Sequence, residues 1–263
     1  MRTHLELPER SCKPRETGLT MVIDSGLPLH AFTDVVSTWA SQIDLVKFGW
    51  GTAVVSPHLD TKLAVLRDAE VDYFFGGTLF ELHLLQNRFD DYRRWCSQAR
   101  CRYVEVSNGT LPISNTEKAA YVRKLAADFR VLSEVGFKQP DRDATLHPQD
   151  WARCAHEDMD AGAALVITES RESGTTGLAN ADGTLRPDVL AALLDSGLRP
   201  EQLLFEAPTK TMQTQLVRRL GPDVNLGNIA PHDIAAVETL RLGLRADTML
   251  HLHSRELGRD ATA

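Results

Sequence analysis

Eight short apolar runs, separated by longer stretches with apolar residues every third or fourth position, constrain this fold more than any single motif. The runs are "TMVID" (20 to 24), "LVKFGW" (45 to 50), "DYFFGG" (72 to 77), "YVEVSNG" (103 to 109), "RVLSEVG" (130 to 136), "ALVITES" (164 to 170), "LLFEAP" (203 to 208) and "VNLGNI" (224 to 229). Runs of this length suit buried strands, and stretches such as "EKAAYVRKLAADF" (117 to 129), "RPDVLAALLDSG" (186 to 197) and "TKTMQTQLVRRLG" (209 to 221) suit crossover helices. Pro187 and Pro231 fit first helical turns, and Gly197 and Gly221 fit helix ends. Eight strand-helix units in 263 residues predict an α/β chain folded as one (β/α)8 barrel of the TIM type over residues 1–263. An open doubly wound sheet is the competing topology. No Pro-, Gly- or Ser-rich linker divides the chain, and the turn-rich insertion at 137 to 150 can serve as a lid or sit idle.

Composition narrows the function classes. A chain that is 43% hydrophobic and 25% charged can bury a full core, and a net charge of −7 disfavours a broad nucleic-acid face. No run reaches the roughly 20 apolar residues of a membrane helix, and the N-terminal segment lacks an apolar signal core. Cys12, Cys96, Cys101 and Cys154 form no CxxC pair and are expected as idle thiols in a cytoplasmic protein.

A barrel gathers its site at the C-terminal ends of its strands. Those ends carry Asp24, Lys47, Glu105 with Ser107 and Asn108, Glu134, Glu169 with Arg171 and Glu172, Glu206, and Asn225 with Asn228; the third run ends in Gly76 and Gly77. Glu134, Glu169 and Glu206 hold equivalent positions on three consecutive strands. Carboxylates converging in this way repel one another unless a cation lies between them, and hard oxygen ligands suit Mg²⁺. Lys47, Lys138, Arg171 and Lys210, with Lys13 and Arg15 arriving from the N-terminal segment, would suit a small anionic substrate. The turn "NLGNIAPHD" (225 to 233) can offer backbone N–H groups to a phosphate. The sequence has no GxxxxGK[ST] loop, no GxGxxG turn after the first strand, no HExxH pair and no GxSxG elbow.

The runs "KPRETGLTMVIDSGL", "DLVKFGWGTA", "FFGGTLFE", "VEVSNGT", "VLSEVGFK", "ESRESGT", "LLFEAPTKTMQ", "VNLGNI" and "ETLRLGLRADT" together resemble the phosphosulfolactate synthase family, in order and across residues 13–248. The resemblance implies a lyase-type synthase that forms a C–S bond, adding sulfite to phosphoenolpyruvate with Mg²⁺ to give (2R)-phosphosulfolactate, the first step toward coenzyme M or a related sulfonate. On this reading Glu134, Glu169 and Glu206 form the metal shell, with Asp24 as a substitute for one of them. Lys138 is the first choice for the acid that protonates the second carbon, on the expectation that a neighbouring metal and other cations lower its pKa. Lys47 is the second choice, or acts on the anions by charge. Arg171, the turn at Gly227 and Asn228, and Arg15 are assigned to the phosphate, and Glu172 to orienting Arg171 or Lys47. Ala53 and Ser170 depart from the family pattern, where Ser and Ala respectively are expected. Partners are small anions, with no nucleic acid and no membrane, and self-association into a homo-oligomer is expected. Two rivals are a phosphoenolpyruvate-using synthase with another nucleophile and a non-catalytic, stress-associated relative.

Overall fold

In a computed structural model, which describes residues 4–138, 146–171 and 173–253, each apolar run becomes a strand. The strands are β1 (Thr20–Asp24), β2 (Leu45–Phe48), β3 (Asp72–Phe75), β4 (Tyr103–Val106), β5 (Arg130–Val135), β6 (Ala163–Thr168), β7 (Leu203–Glu206) and β8 (Leu226–Ile229). Between them lie α1 (Leu29–Trp39), α2 (Thr52–Val55), α3 (Leu59–Asp68), α4 (Gly77–Leu85), α5 (Phe89–Gln98), α6 (Asn115–Leu125), α7 (Pro148–Asp160), α8 (Pro187–Asp195) and α9 (Lys210–Leu220); α10 (Ile234–Arg241) and α11 (Ala246–His253) follow β8. Every strand pair is parallel, in the order β3-β2-β1-β8-β7-β6-β5-β4. The sheet curls until its two end strands, β3 and β4, face each other, giving a nearly closed (β/α)8 barrel and excluding the doubly wound alternative.

Period-two alternation sorts the strand residues into two cores. Leu19, Met21, Leu45, Phe74, Tyr103, Leu132, Leu165, Ile167 and Leu204 pack together inside the barrel, while Val22, Val46, Phe75, Val104, Val131, Val166 and Phe205 join the larger shell between strands and helices. Helix ends follow local chemistry. Ser114 and Glu117 close a reciprocal capping box at the start of α6, Pro187 opens α8, and Gly221 ends α9 with φ of 90°. Pro231 instead opens a single 3₁₀ turn that leads into α10.

The N-terminal end of the barrel is plugged by cations. Arg241 is fully buried and donates to the backbone oxygens of Pro222 and Val224, each at 2.6 Å, and of Leu19 at 3.1 Å. Arg15 pairs with Asp44, the residue before β2, at 2.9 Å, and Lys13 donates to the carbonyls of Ala40 and Ile43. The N-terminal segment therefore tucks under the barrel, and Arg15 lies at the end opposite the strand termini that carry the candidate site. This overturns its assignment to a phosphate.

Candidate active site

Parity decides which charged residues enter the barrel mouth. Leu45, Tyr103, Leu132, Ile167 and Leu204 face the barrel interior, so the residues two positions on, Lys47, Glu105, Glu134, Glu169 and Glu206, form the next layer up. All five are buried, and they line one pocket with Ile23, Trp50, Gly76, Gly77, Lys138, Ser170, Arg171 and Asn228. One oxygen from each of Glu134, Glu169 and Glu206 lies within 4.8 Å of the others, close enough to share a cation. The polar partners of the Glu134 carboxylate come from inside the cluster, Lys138 on one oxygen and Lys47 near the other.

Lys47 bridges the floor of the pocket. Its Nζ lies 3.0 Å from Glu105, 3.0 Å from Glu206 and 3.8 Å from Glu134. Lys138, just past β5, approaches from the loop side: Nζ is 2.9 Å from Glu134, 3.8 Å from Glu81 and 3.9 Å from Glu169. Main-chain donors fix two of the acids, Gly77 N on Glu105 at 2.7 Å and Ser170 N on Glu206 at 2.9 Å. Since Ser170 acts there through its backbone, the Ser in place of Ala leaves this contact in place.

Two ammoniums facing four ionised carboxylates leave two negative charges uncompensated in a water-poor site, and the acids respond. Burial drives Glu105 up to about 7 against the pull of Lys47. Burial also raises Glu169 well above its ordinary value, reinforced by the Glu134 and Glu206 charges, and raises Glu206 despite Lys47. For Glu134 the desolvation is overcome by Lys138 and Lys47, which hold it at about 2. Burial pulls both lysines down, but the surrounding glutamates outweigh it and raise each one. The nearest protein neighbours of Lys138 are anions, and they stabilise its ammonium; the expected lowering is one that a neighbouring metal would have to supply.

Other expected residues separate by position. Arg171 lines the mouth and is exposed, as a contact for an incoming anion requires. Asn228 faces the pocket with φ of 51°, and its buried Oδ1 has no hydrogen-bond partner. An extra residue in β8 relative to β1 (Thr20 pairs with Leu226, Val22 with Ile229) breaks the alternation and turns Asn228 inward. Gly227 lies within β8, not in a turn, and a Cβ there would meet Met21 Cε at 2.6 Å. Its role is to admit Met21 to the core, so the phosphate assignment is withdrawn. Asp24 faces the helices, since Met21 and Ile23 take the interior parity. It pairs with Lys62 of α3 at 2.5 Å and accepts from Gly26 N and Leu27 N, each at 2.8 Å, which removes it from the metal shell. Lys210 pairs with Asp247 at 2.9 Å. Glu172 and residues 139–145 of the insertion lie outside the described residues.

Sequence reasoning left Glu81 out altogether. This buried residue of α4 accepts from Ser107 Oγ at 2.6 Å, Thr110 N at 2.8 Å and Leu111 N at 2.6 Å, bracing the loop after β4 beside Lys138. Strand-end patterning cannot find a helical residue, although "GTLFE" places Glu81 four residues beyond the helix-opening Gly77.

Residues 8–247 match the family model of (2R)-phospho-3-sulfolactate synthase. The chain belongs to that family. Among phosphosulfolactate synthases, the protein of Bacillus subtilis is 46% identical over 244 residues, covering 93% of this chain and 97% of that protein. The one from Methanothermobacter thermautotrophicus is 40% identical over 247 residues, covering 92% and 95%. Beyond the phosphosulfolactate synthases, an Escherichia coli aldolase structure superimposes with a TM-score of 0.54 at 11% identity, covering 92% of this chain and 91% of that one. At that identity the likeness concerns the barrel alone. No helix among the described residues is long and apolar enough to cross a membrane.

Proposed function

We propose that this phosphosulfolactate synthase family member joins sulfite to phosphoenolpyruvate, giving (2R)-phosphosulfolactate, with Glu134, Glu169 and Glu206 holding Mg²⁺. The observation that carries the reading is the convergence of these three carboxylates within 4.8 Å, beside Lys47 and Lys138, in a family member. Bound there, Mg²⁺ would supply Lewis-acid stabilisation of negative charge on the substrate carboxylate.

In the reaction the sulfur lone pair forms a bond to the methylene carbon, and the C=C electron pair moves toward the carboxylate. A proton must then reach the second carbon. Lys138 Nζ is the proposed donor: it is protonated at neutral pH, and its side chain is 17% exposed against 8% for Lys47. Lys47, wedged between Glu105 and Glu206, holds the acids in place and adds positive charge at the floor. Arg171 and Asn228 are proposed to take the phosphate at the mouth, Arg171 by charge and Asn228 by its amide.

Cytoplasmic location is part of the proposal, supported by free thiols at Cys96, Cys101 and Cys154. So is a homo-oligomer, supported by the exposed apolar side chains of Val54, Val55 and Leu85 and tested by light scattering after gel filtration.

Incubation with phosphoenolpyruvate, sulfite and Mg²⁺ should yield a phosphosulfolactate by mass, and Lys138→Met should lower turnover about a hundredfold or more. Turnover only with another nucleophile would replace sulfite. A folded protein inert toward every nucleophile would overturn the enzymatic reading.

A further inference from the structure

On the helix side of the barrel wall, behind β5, Lys118 of α6 is 0% exposed. Its Nζ donates to the backbone oxygen of Glu134 at 2.7 Å and pairs with Asp158 Oδ2 of α7, also at 2.7 Å. Ser133 Oγ donates to that same Asp158 oxygen at 2.8 Å, so two consecutive residues of β5 are gripped from behind.

Strand geometry explains why a donor is needed there. Carbonyls of successive strand residues point to opposite neighbours. Val135 O accepts from Glu169 N beyond β6, so Glu134 O points toward β4, whose register with β5 ends at Val106 and Ser133. Past Val106, β4 leaves the ladder to deliver Ser107 and Asn108, and Lys118 supplies the hydrogen bond the strand no longer gives. A buried ion pair is a poor source of stability, since an apolar pair of similar volume does as well or better. What an apolar pair cannot do is hold the Glu134 peptide while its carboxylate projects, on the other side of the strand, between Lys47 and Lys138.

We propose that Lys118, anchored by Asp158, is a positioning residue that sets the Glu134 carboxylate for the cation; this rests on the functional reading above. The double variant Lys118→Met/Asp158→Asn removes both charges together and leaves no buried charge unpaired. It should weaken Mn²⁺ binding, read by electron paramagnetic resonance, about tenfold. It should also lower kcat with Mg²⁺ and change KM for phosphoenolpyruvate less than about twofold. Val122→Ala, a cavity in the same helix, lowers Tm and should leave Mn²⁺ affinity unchanged.

If Glu134→Gln weakens Mn²⁺ binding and the folded double variant does not, the inference fails by itself. If the protein binds no Mn²⁺, or Glu134→Gln leaves binding unaltered, the reading of Glu134 as a ligand fails and the inference falls with it. Should the double variant not fold, Ser133→Ala tests the same grip, with an expected loss of about threefold when the Asp158 carboxylate loses this one hydrogen bond; no loss overturns it.

Discussion

Glu169 meets two competitors for its carboxylate, a proton and a cation. Burial, then the charges of Glu134 and Glu206, favours the protonated form well above the ordinary range, and Glu206 is raised in the same direction. A divalent ion competes with protons for these carboxylates, so metal affinity should climb as pH rises, roughly tenfold per unit for each proton displaced. Calorimetry in buffers of different ionisation enthalpy would register the released protons; an affinity that does not change with pH would refute the coupling. Glu169→Gln should weaken the same titration about tenfold or more. Without metal the shift acts on folding. Glu105, raised from 4.5 to about 7, is protonated more readily in the folded protein, so its contribution to stability is lost as pH climbs through that interval.

Elements explain which residues reach the mouth and which do not. Five charged side chains sit two residues beyond interior apolar ones, so Lys47, Glu134, Glu169 and Glu206 were legible from strand position and charge alone. Asp24 ends its run just as they do, but it follows Ile23, an interior residue, and one step of the pleat sends it to α3. That error was avoidable by counting parity. Other assignments were not within reach of a linear pattern. Arg15 is carried beneath the barrel by a connection with no periodicity, Asn228 is turned inward by an extra residue in β8, and the upward shift of Lys138 combines Glu134, four residues before it, with Glu169 and Glu105 from other strand ends. The Asp24–Lys62 pair gives a direct check. Lys62→Met strands a buried carboxylate and should cost about 3–5 kcal/mol in urea denaturation. Adding Asp24→Asn should restore much of that loss, and metal affinity should stay constant throughout; a weakened metal titration would return Asp24 to the shell.

The whole molecule closes everywhere by ladders except between β3 and β4, the two ends of the strand order. Near the mouth, Gly77 N reaches across that gap to Glu105 Oε1, and a Cβ at Gly77 would strike both Glu105 and Ser107. Farther down, Arg102 and Asp72 span it at 3.2 Å in solvent. Hydrogen exchange followed by mass spectrometry should therefore find β3 and β4 exchanging before β5 and β6, whose ladder is the longest in the barrel. Uniform protection around the ring would contradict this. One of the links across the open stave, from Gly77 N, ends on an ionisable oxygen of the same acid that Lys47 holds. A change of charge on Glu105 therefore bears on two things together, the balance of the cavity and the grip along this one seam.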